Sequence, residues 1–322
     1  MAEQSTLAGQ IDFGGGTLHT KQRGLWSQAF QRLIRNRLAA AGGIILLIVL
    51  SLSILAQFTM VVGRHDPAAQ DYSVVAAGPS ADHWLGTDPL GRDMWARLLD
   101  GTLFSLKIGF GAEAIVLVIG ISVGMAAALA GKRTDAALMW LTDLAYAFPD
   151  LLMIILFRQI LVGRHWPIVG DGNPQIPGLN SGVLIILLAI SFVSWVTIAR
   201  VVRGQMLSIK NQDYVMAAEC VGASRLRIVR IHMLPNTLSS IVVASTFGIP
   251  TRIFAEAALA FIGLGVAPPA SSLGSMISDG YAQIVSDKLL VIWPAIVVAS
   301  LMLCFTFLGD GLRDALDPRT RK

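Results

Sequence analysis

Apolar residues along this chain are not spread evenly but gather into long runs separated by short polar stretches. Each run approaches the ~20 residues that an α-helix needs to cross a hydrocarbon core of ~30 Å, so the pattern predicts membrane-spanning helices. Six are read: Leu38–Val62, Leu103–Ala130, Ala136–Val162, Val183–Ile198, Leu238–Leu264 and Leu289–Leu308. The fourth is the shortest, yet carries no charge before Arg200. The third is interrupted by Asp143, Pro149, Asp150 and Arg158. The fold class expected is therefore all-α, a polytopic membrane protein with six transmembrane helices.

Composition agrees with this reading: 54% of the 322 residues are hydrophobic and 14% charged, against about 25% charged in a soluble domain. The first 37 residues are polar and basic, with Gly14, Gly15 and Gly16 marking a flexible arm. The first apolar run is longer than the 7–15 residues of a signal peptide, and no small-x-small cleavage site follows it, so it reads as an uncleaved anchor. Cys220 falls in a polar loop and Cys304 in the last span, an arrangement that does not make a structural disulfide. The five histidines show no metal-ligand spacing, and no metal is expected.

Lysine and arginine are distributed asymmetrically. With alternating spans and a cytoplasmic amino terminus, the inner segments (1–37, 131–135, 199–237 and 309–322) hold 17 of the 25 Lys and Arg. The outer segments hold only Arg64, Arg92, Arg97, Arg164 and Lys288. The positive-inside rule then puts both termini in the cytoplasm. The organisation expected is an arm (1–37), a first helix (38–62), an extracytoplasmic loop (63–102), a core transmembrane domain (103–308) with an inner loop at 199–237, and a tail (309–322). Three loops are too long to be mere connections, and long loops are where function concentrates. The loop Gly63–Thr102 carries six Asp; within it Gly86, Asp88, Pro89, Gly91 and Asp93 are turn and cap formers. The loop Gly163–Gly182 is rich in Gly and Pro.

The inner loop reads YVMAAECVGASRLRIVRIHMLPN from Tyr214 to Asn236. Tyr214–Val221 has good helix formers, and Gly222 follows where a helix often ends. Basic and apolar residues then alternate at roughly helical spacing from Arg225 to Arg230, and Pro235 is expected to stop the run before the fifth span. Composition alone describes a helix pair lying on anionic headgroups. The spacing, however, resembles the pattern E-A-A, three residues, G, nine residues, I-x-L-P of permease subunits in ATP-binding-cassette importers. By position, Met216 stands for the Glu, Ala217 and Ala218 for the two Ala, Gly222 for the Gly and His232 for the Ile, while Leu234 and Pro235 match. Met216 removes an acidic group from this surface, and Glu219 is a candidate to replace it. HWLGTDPLGRDMWARLLDG (His83–Gly101), VSWVTIARVVRGQMLSIK (Val193–Lys210), FIGLGVAPP (Phe261–Pro269) and GDGLRDALDPR (Gly309–Arg319) resemble segments of the C-type oligopeptide and dipeptide permeases.

That resemblance implies a type I importer permease fold in the cell inner membrane and a helix that couples to a separate ATPase. It implies a heterodimer with a second, homologous permease subunit, two ATP-binding-cassette subunits, an extracytoplasmic substrate-binding protein and a peptide substrate. Relatives in this branch also carry nickel complexes, glutathione and other small solutes. The chain itself has no phosphate-cradling G-x-x-x-x-G-K-[S/T] loop: Gly131-Lys132-Arg133-Thr134 has Ala126 where the first Gly is needed and Arg133 where Ser or Thr should follow Lys. ATP and Mg are thus expected on partner subunits, with no cofactor on this chain, no catalytic constellation and no nucleic-acid partner. Glu113, Arg252 and Glu256 lie within spans, where charges face protein or water; Arg252 and Glu256, spaced i,i+4, are expected to neutralise one another. A secondary transporter driven by an ion gradient is the rival reading, but no repeat relates residues 38–162 to 183–308.

Overall fold

The computed structural model describes residues 25–161 and 181–316. The arm up to residue 24, residues 162–180 and residues 317–322 lie outside the described residues, with the expectations placed on them. The elements run α1 (Leu25–Arg35), α2 (Arg37–Phe58), α3 (Met60–Gly63), α4 (Met94–Leu129), α5 (Lys132–Tyr146), α6 (Asp150–Leu161) and α7 (Ser181–Lys210). Then follow α8 (Asp213–Cys220), α9 (Arg225–Ile228), a π-helix (Val229–Met233), α10 (Leu234–Phe261), α11 (Leu273–Tyr281) and α12 (Leu289–Leu316). No strand occurs among the described residues.

Five helices are long and apolar enough to cross a membrane: α2, α4, α7, the continuous stretch Arg225–Phe261, and α12. The expected third span is bent, and the count is six when this bent pair is taken as one span. Its two halves, α5 and α6, meet at 93° across a short break, where Pro149 disfavours helix in the residue before it. The charges that interrupt the pattern explain the path of α5. Arg203 holds Asp135 with two contacts at 2.5 and 2.6 Å, Arg200 reaches Asp143 at 2.7 Å, and the Arg200 guanidinium lies 4.6 Å over the Tyr146 ring. Because those arginines are partnered, α7 continues as helix to Lys210, well past the end of its apolar run at Ile198.

A correction concerns Pro235, which does not stop a helix. The chain passes from α9 through the π-helix into α10 without a break, and Pro235 sits in the first turn of α10, where a missing N–H is tolerated. The sixth span likewise runs on as helix to Leu316, beyond the expected start of the tail at Gly309.

Close helix approach comes from glycine. On α4, Gly120 and Gly124 form a small-xxx-small stripe against α7: a Cβ at Gly120 would stand 2.7 Å from the Ile198 Cβ, and one at Gly124 would stand 2.6 Å from the Ala199 carbonyl oxygen. Two buried clusters flank this seam. One joins Ile108, Ala112, Ile186, Ile190 and Leu259 in mid-bundle. The other joins Val116, Ile198, Met206, Val215, Ile228 and Met233 toward the α8 end.

Candidate functional site

The surface singled out by the sequence lies on α8 and the turn after it. Val215 is fully buried in the cluster that unites α4, α7, the π-helix and α10, so one side of α8 is anchored to the spans. Met216, Ala217, Glu219 and Cys220 are exposed on it. The helix ends in a two-bond C-terminal motif: the Ala223 N–H donates to the Ala218 carbonyl at 3.0 Å and the Gly222 N–H to the Glu219 carbonyl at 2.9 Å. This geometry needs a left-handed residue at Gly222, whose φ is +84°. Nothing lies within 4 Å of where a Cβ at Gly222 would point. Ser224 then caps α9, its hydroxyl oxygen accepting from the Arg227 N–H at 3.4 Å.

Placement of the other motif residues is equally definite. Glu219 lines a cavity of about 350 Å³ with Lys210 and Arg225, between α8 and the ends of α4 and α7, and so faces cations of its own chain. His232 takes the apolar position of the motif and packs its ring on Tyr214, centroids 6.1 Å apart. The Asn236 amide donates to the His232 carbonyl at 2.6 Å and to the Tyr214 hydroxyl at 3.3 Å. Tyr214, Val215 and Asn236 therefore tie α8 to the start of α10. Sequence reasoning passed over them because they carry no charge and no family letter, and Val215, followed by Met216, Ala217 and Ala218, offers no polar–apolar contrast. Leu234 and Pro235 sit in the first turn of α10 rather than on the α8 surface.

The membrane charges are brought together differently from expectation. Arg252 does not pair with Glu256. Its Nε lies 3.1 Å from Glu113 Oε2 on α4, while its remaining nitrogens donate to the Gly248 and Ser194 carbonyls at 3.1 and 3.3 Å. Glu256 instead accepts from the Ser105 hydroxyl at 3.0 Å. An i,i+4 spacing permits a pair on one helix; here packing against α4 offers each side chain a nearer partner. Glu113 fits because position 248 is glycine, where a Cβ would meet the carboxylate at 2.5 Å.

The loop at 64–93 folds over the opposite end of the bundle. Gly86 and Gly91 take positive φ, and Asp93 caps α4 by accepting from the Ala96 N–H at 2.7 Å. Asp88 is buried and accepts from the Leu90 and Arg92 N–H groups and the Arg92 guanidinium, at 2.7 to 2.9 Å, and from Arg97. Ser73 holds the Asp71 carboxyl below the usual carboxylate range by donating both its hydroxyl and its N–H. The expectation that the histidines are scattered is corrected: donor atoms of His65, His83 and Asp93 lie within 4.8 Å of one another. The His65 and His83 rings stack at 4.6 Å, and His83 Nδ1 contacts Asp93 at 2.8 Å. Through the His83–Asp93 contact the trio clamps the α4 cap to the loop.

Comparison with known proteins bears on this arrangement. A family model described as binding-protein-dependent transport system inner membrane component matches residues 117–322. The chain belongs to that family. The N-terminal TM domain of oligopeptide transport permease C also matches, over residues 24–79. Among relatives of this inner membrane component, the oligopeptide transport system permease protein OppC of Bacillus subtilis (strain 168) is 37% identical over 302 residues, 94% of this chain and 92% of the relative. The dipeptide transport system permease protein DppC of the same organism is 39% identical, over 91% and 86%. The glutathione transport system permease protein GsiD of Pectobacterium atrosepticum is 32% identical, over 92% of each. A solved structure of the MetNI methionine ABC transporter in inward facing conformations shares the fold, with a TM-score of 0.54 at 20% identity over 69% of this chain and 96% of that one. The family member described here is thus a multi-pass membrane component of a binding-protein-dependent transport system.

Proposed function

We propose that this chain is the C-type permease subunit of an ATP-driven importer of short peptides, forming half of the pathway and docking an ATPase on α8. The observation that carries the docking is the two-sidedness of α8: Val215 is buried among the spans, whereas Met216, Ala217 and Gly222 face open space. A push on the exposed side is thereby delivered to α4, α7 and α10. Alternating access follows when two such subunits rock about the pathway between them. With Met216 where the family motif has Glu, docking here rests on shape and apolar contact more than on charge.

Both termini are placed in the cytoplasm, and the chain is non-catalytic. ATP and Mg belong to two ATP-binding-cassette subunits, a homologous permease supplies the other half of the pathway, and an extracytoplasmic binding protein delivers the peptide. The peptide reading is supported by the OppC and DppC relatives; a second reading, glutathione, is favoured by the GsiD relative. The test is ATPase activity of the reconstituted complex, stimulated by binding protein loaded with di- and oligopeptides, glutathione or nickel complexes. Stimulation by peptides alone is expected. Recovery of the chain alone, with transport insensitive to ATP, sinks the importer reading.

A further inference from the structure

At the end of α7 remote from α8, a cavity of about 650 Å³ opens between α4, the first turns of α7 and the segment 266–270. That volume is within the ~300–1,000 Å³ of pockets that hold small ligands. Phe104, Val183 and Leu187 give it apolar walls, and two charged side chains, Asp100 and Lys107, line it from α4. They are seven residues apart, two helical turns, so they share a face and their Cα atoms are separated by about 10.5 Å along the axis.

The two charges are held differently. Asp100 is fixed: the Gln57 amide donates to one carboxylate oxygen at 3.0 Å and the Ser271 hydroxyl to the other at 3.0 Å. Neither donor is cationic, so among the described residues no positive side chain is paired with this carboxylate. Lys107 is exposed and has no hydrogen bond or ion pair among the described residues. By contrast, Arg252, Arg203 and Arg200 on the apolar helices each pair with a carboxylate. A lone ammonium on a spanning helix faces protein or water and marks a path.

We propose that Asp100 and Lys107 are the two poles of a substrate-recognition site. The ligand class is a linear zwitterion, its ammonium toward Asp100 and its carboxylate toward Lys107. This rests on the peptide reading above. An extended chain advances ~3.3–3.6 Å per residue, so two poles two turns apart on one helix face are within reach of the two ends of a short peptide, and the apolar walls between them accept varied side chains. The concavity and the facing carboxylate favour a small ligand over a carboxylate of the second permease as the partner of Lys107.

The test compares uptake of a tripeptide with free ends, its C-terminal amide and its N-acetyl derivative by proteoliposomes holding the whole complex with binding protein. Selectivity of the binding protein is common to all variants and cancels when ratios are compared with wild type. Lys107→Gln is expected to lower the free-to-amidated uptake ratio about tenfold, and Asp100→Asn the free-to-acetylated ratio by a similar factor, the size of a lost charge-assisted hydrogen bond. Lys107→Arg is expected to retain the wild-type ratio. Uptake with both ratios unaltered overturns the site alone. Failure of Lys107→Gln to assemble with the second permease also overturns it, by placing the ammonium in the subunit interface. Absence of uptake of any peptide by the wild type overturns the peptide reading and the two-pole site with it.

Discussion

At Gly222 a φ of +84° coincides with open space in front of the Cα. A side chain there meets two separate penalties. The left-handed backbone costs an L-residue about 1–2 kcal/mol, and any added volume stands where the ATPase must approach. Gly222→Ala is expected to weaken binding-protein-stimulated ATPase activity, and Gly222→Asp to abolish it with membrane insertion intact. Wild-type stimulation in Gly222→Asp would move the docking surface elsewhere. Two turns of chain away, Met216 is 47% exposed and no apolar packing depends on it. Met216→Glu, which restores the family's acidic letter, is expected to assemble and hydrolyse ATP like wild type; loss of assembly would mean that position 216 was matched wrongly.

Between elements, charge and glycine set how closely α4 meets its neighbours. Removing Arg252 leaves Glu113 buried without its cation, which costs about 3–5 kcal/mol when a buried pair is broken. Arg252→Met is therefore expected to lower the melting temperature of the purified complex sharply, and adding Glu113→Gln to recover part of the loss. Additive losses in the double variant would show that the pair is not coupled. Gly124→Leu must separate α4 from α7 and is expected to prevent stable insertion. Much of this level was legible beforehand. The runs of apolar residues locate the spans, and Asp93, Gly86 and Gly91 announce a capped turn ahead of α4. What sequence spacing could not supply was partnership across helices. Arg252 and Glu256 satisfy i,i+4 on paper, yet which carboxylate an arginine takes depends on the register of α4 against α10. For the same reason Asp143, which looks like an interruption of one span, and Arg200, just past the end of another, turn out to be one contact. Neither the stripe of Gly120 and Gly124 nor the roles of Val215 and Asn236 was read from the sequence, since close approach of α4 to α7 and burial of α8 on one side arise only once the helices are in place.

For the whole molecule, its two cysteines make a built-in probe of topology and assembly. Both are free; Cys220 is exposed on α8 and Cys304 is buried in α12. In the proposed topology, which the excess of Lys and Arg in the inner segments supports, α8 lies on the cytoplasmic side, where ATP is available to a docked subunit. A membrane-impermeant maleimide is then expected to modify Cys220 in inside-out vesicles and to leave it untouched in right-side-out ones, while Cys304 reacts only after denaturation. Labelling from the outside would invert the assigned topology. The same thiol reports on docking, because Cys220 lies one helical turn from Met216 and Ala217 and is covered by anything that contacts them. Assembly with the ATPase subunits is expected to slow its modification in inside-out vesicles severalfold, and Gly222→Asp to restore the rate of the undocked chain. Equal rates with and without the ATPase would separate the two conclusions, keeping α8 in the cytoplasm while removing it from the docking surface.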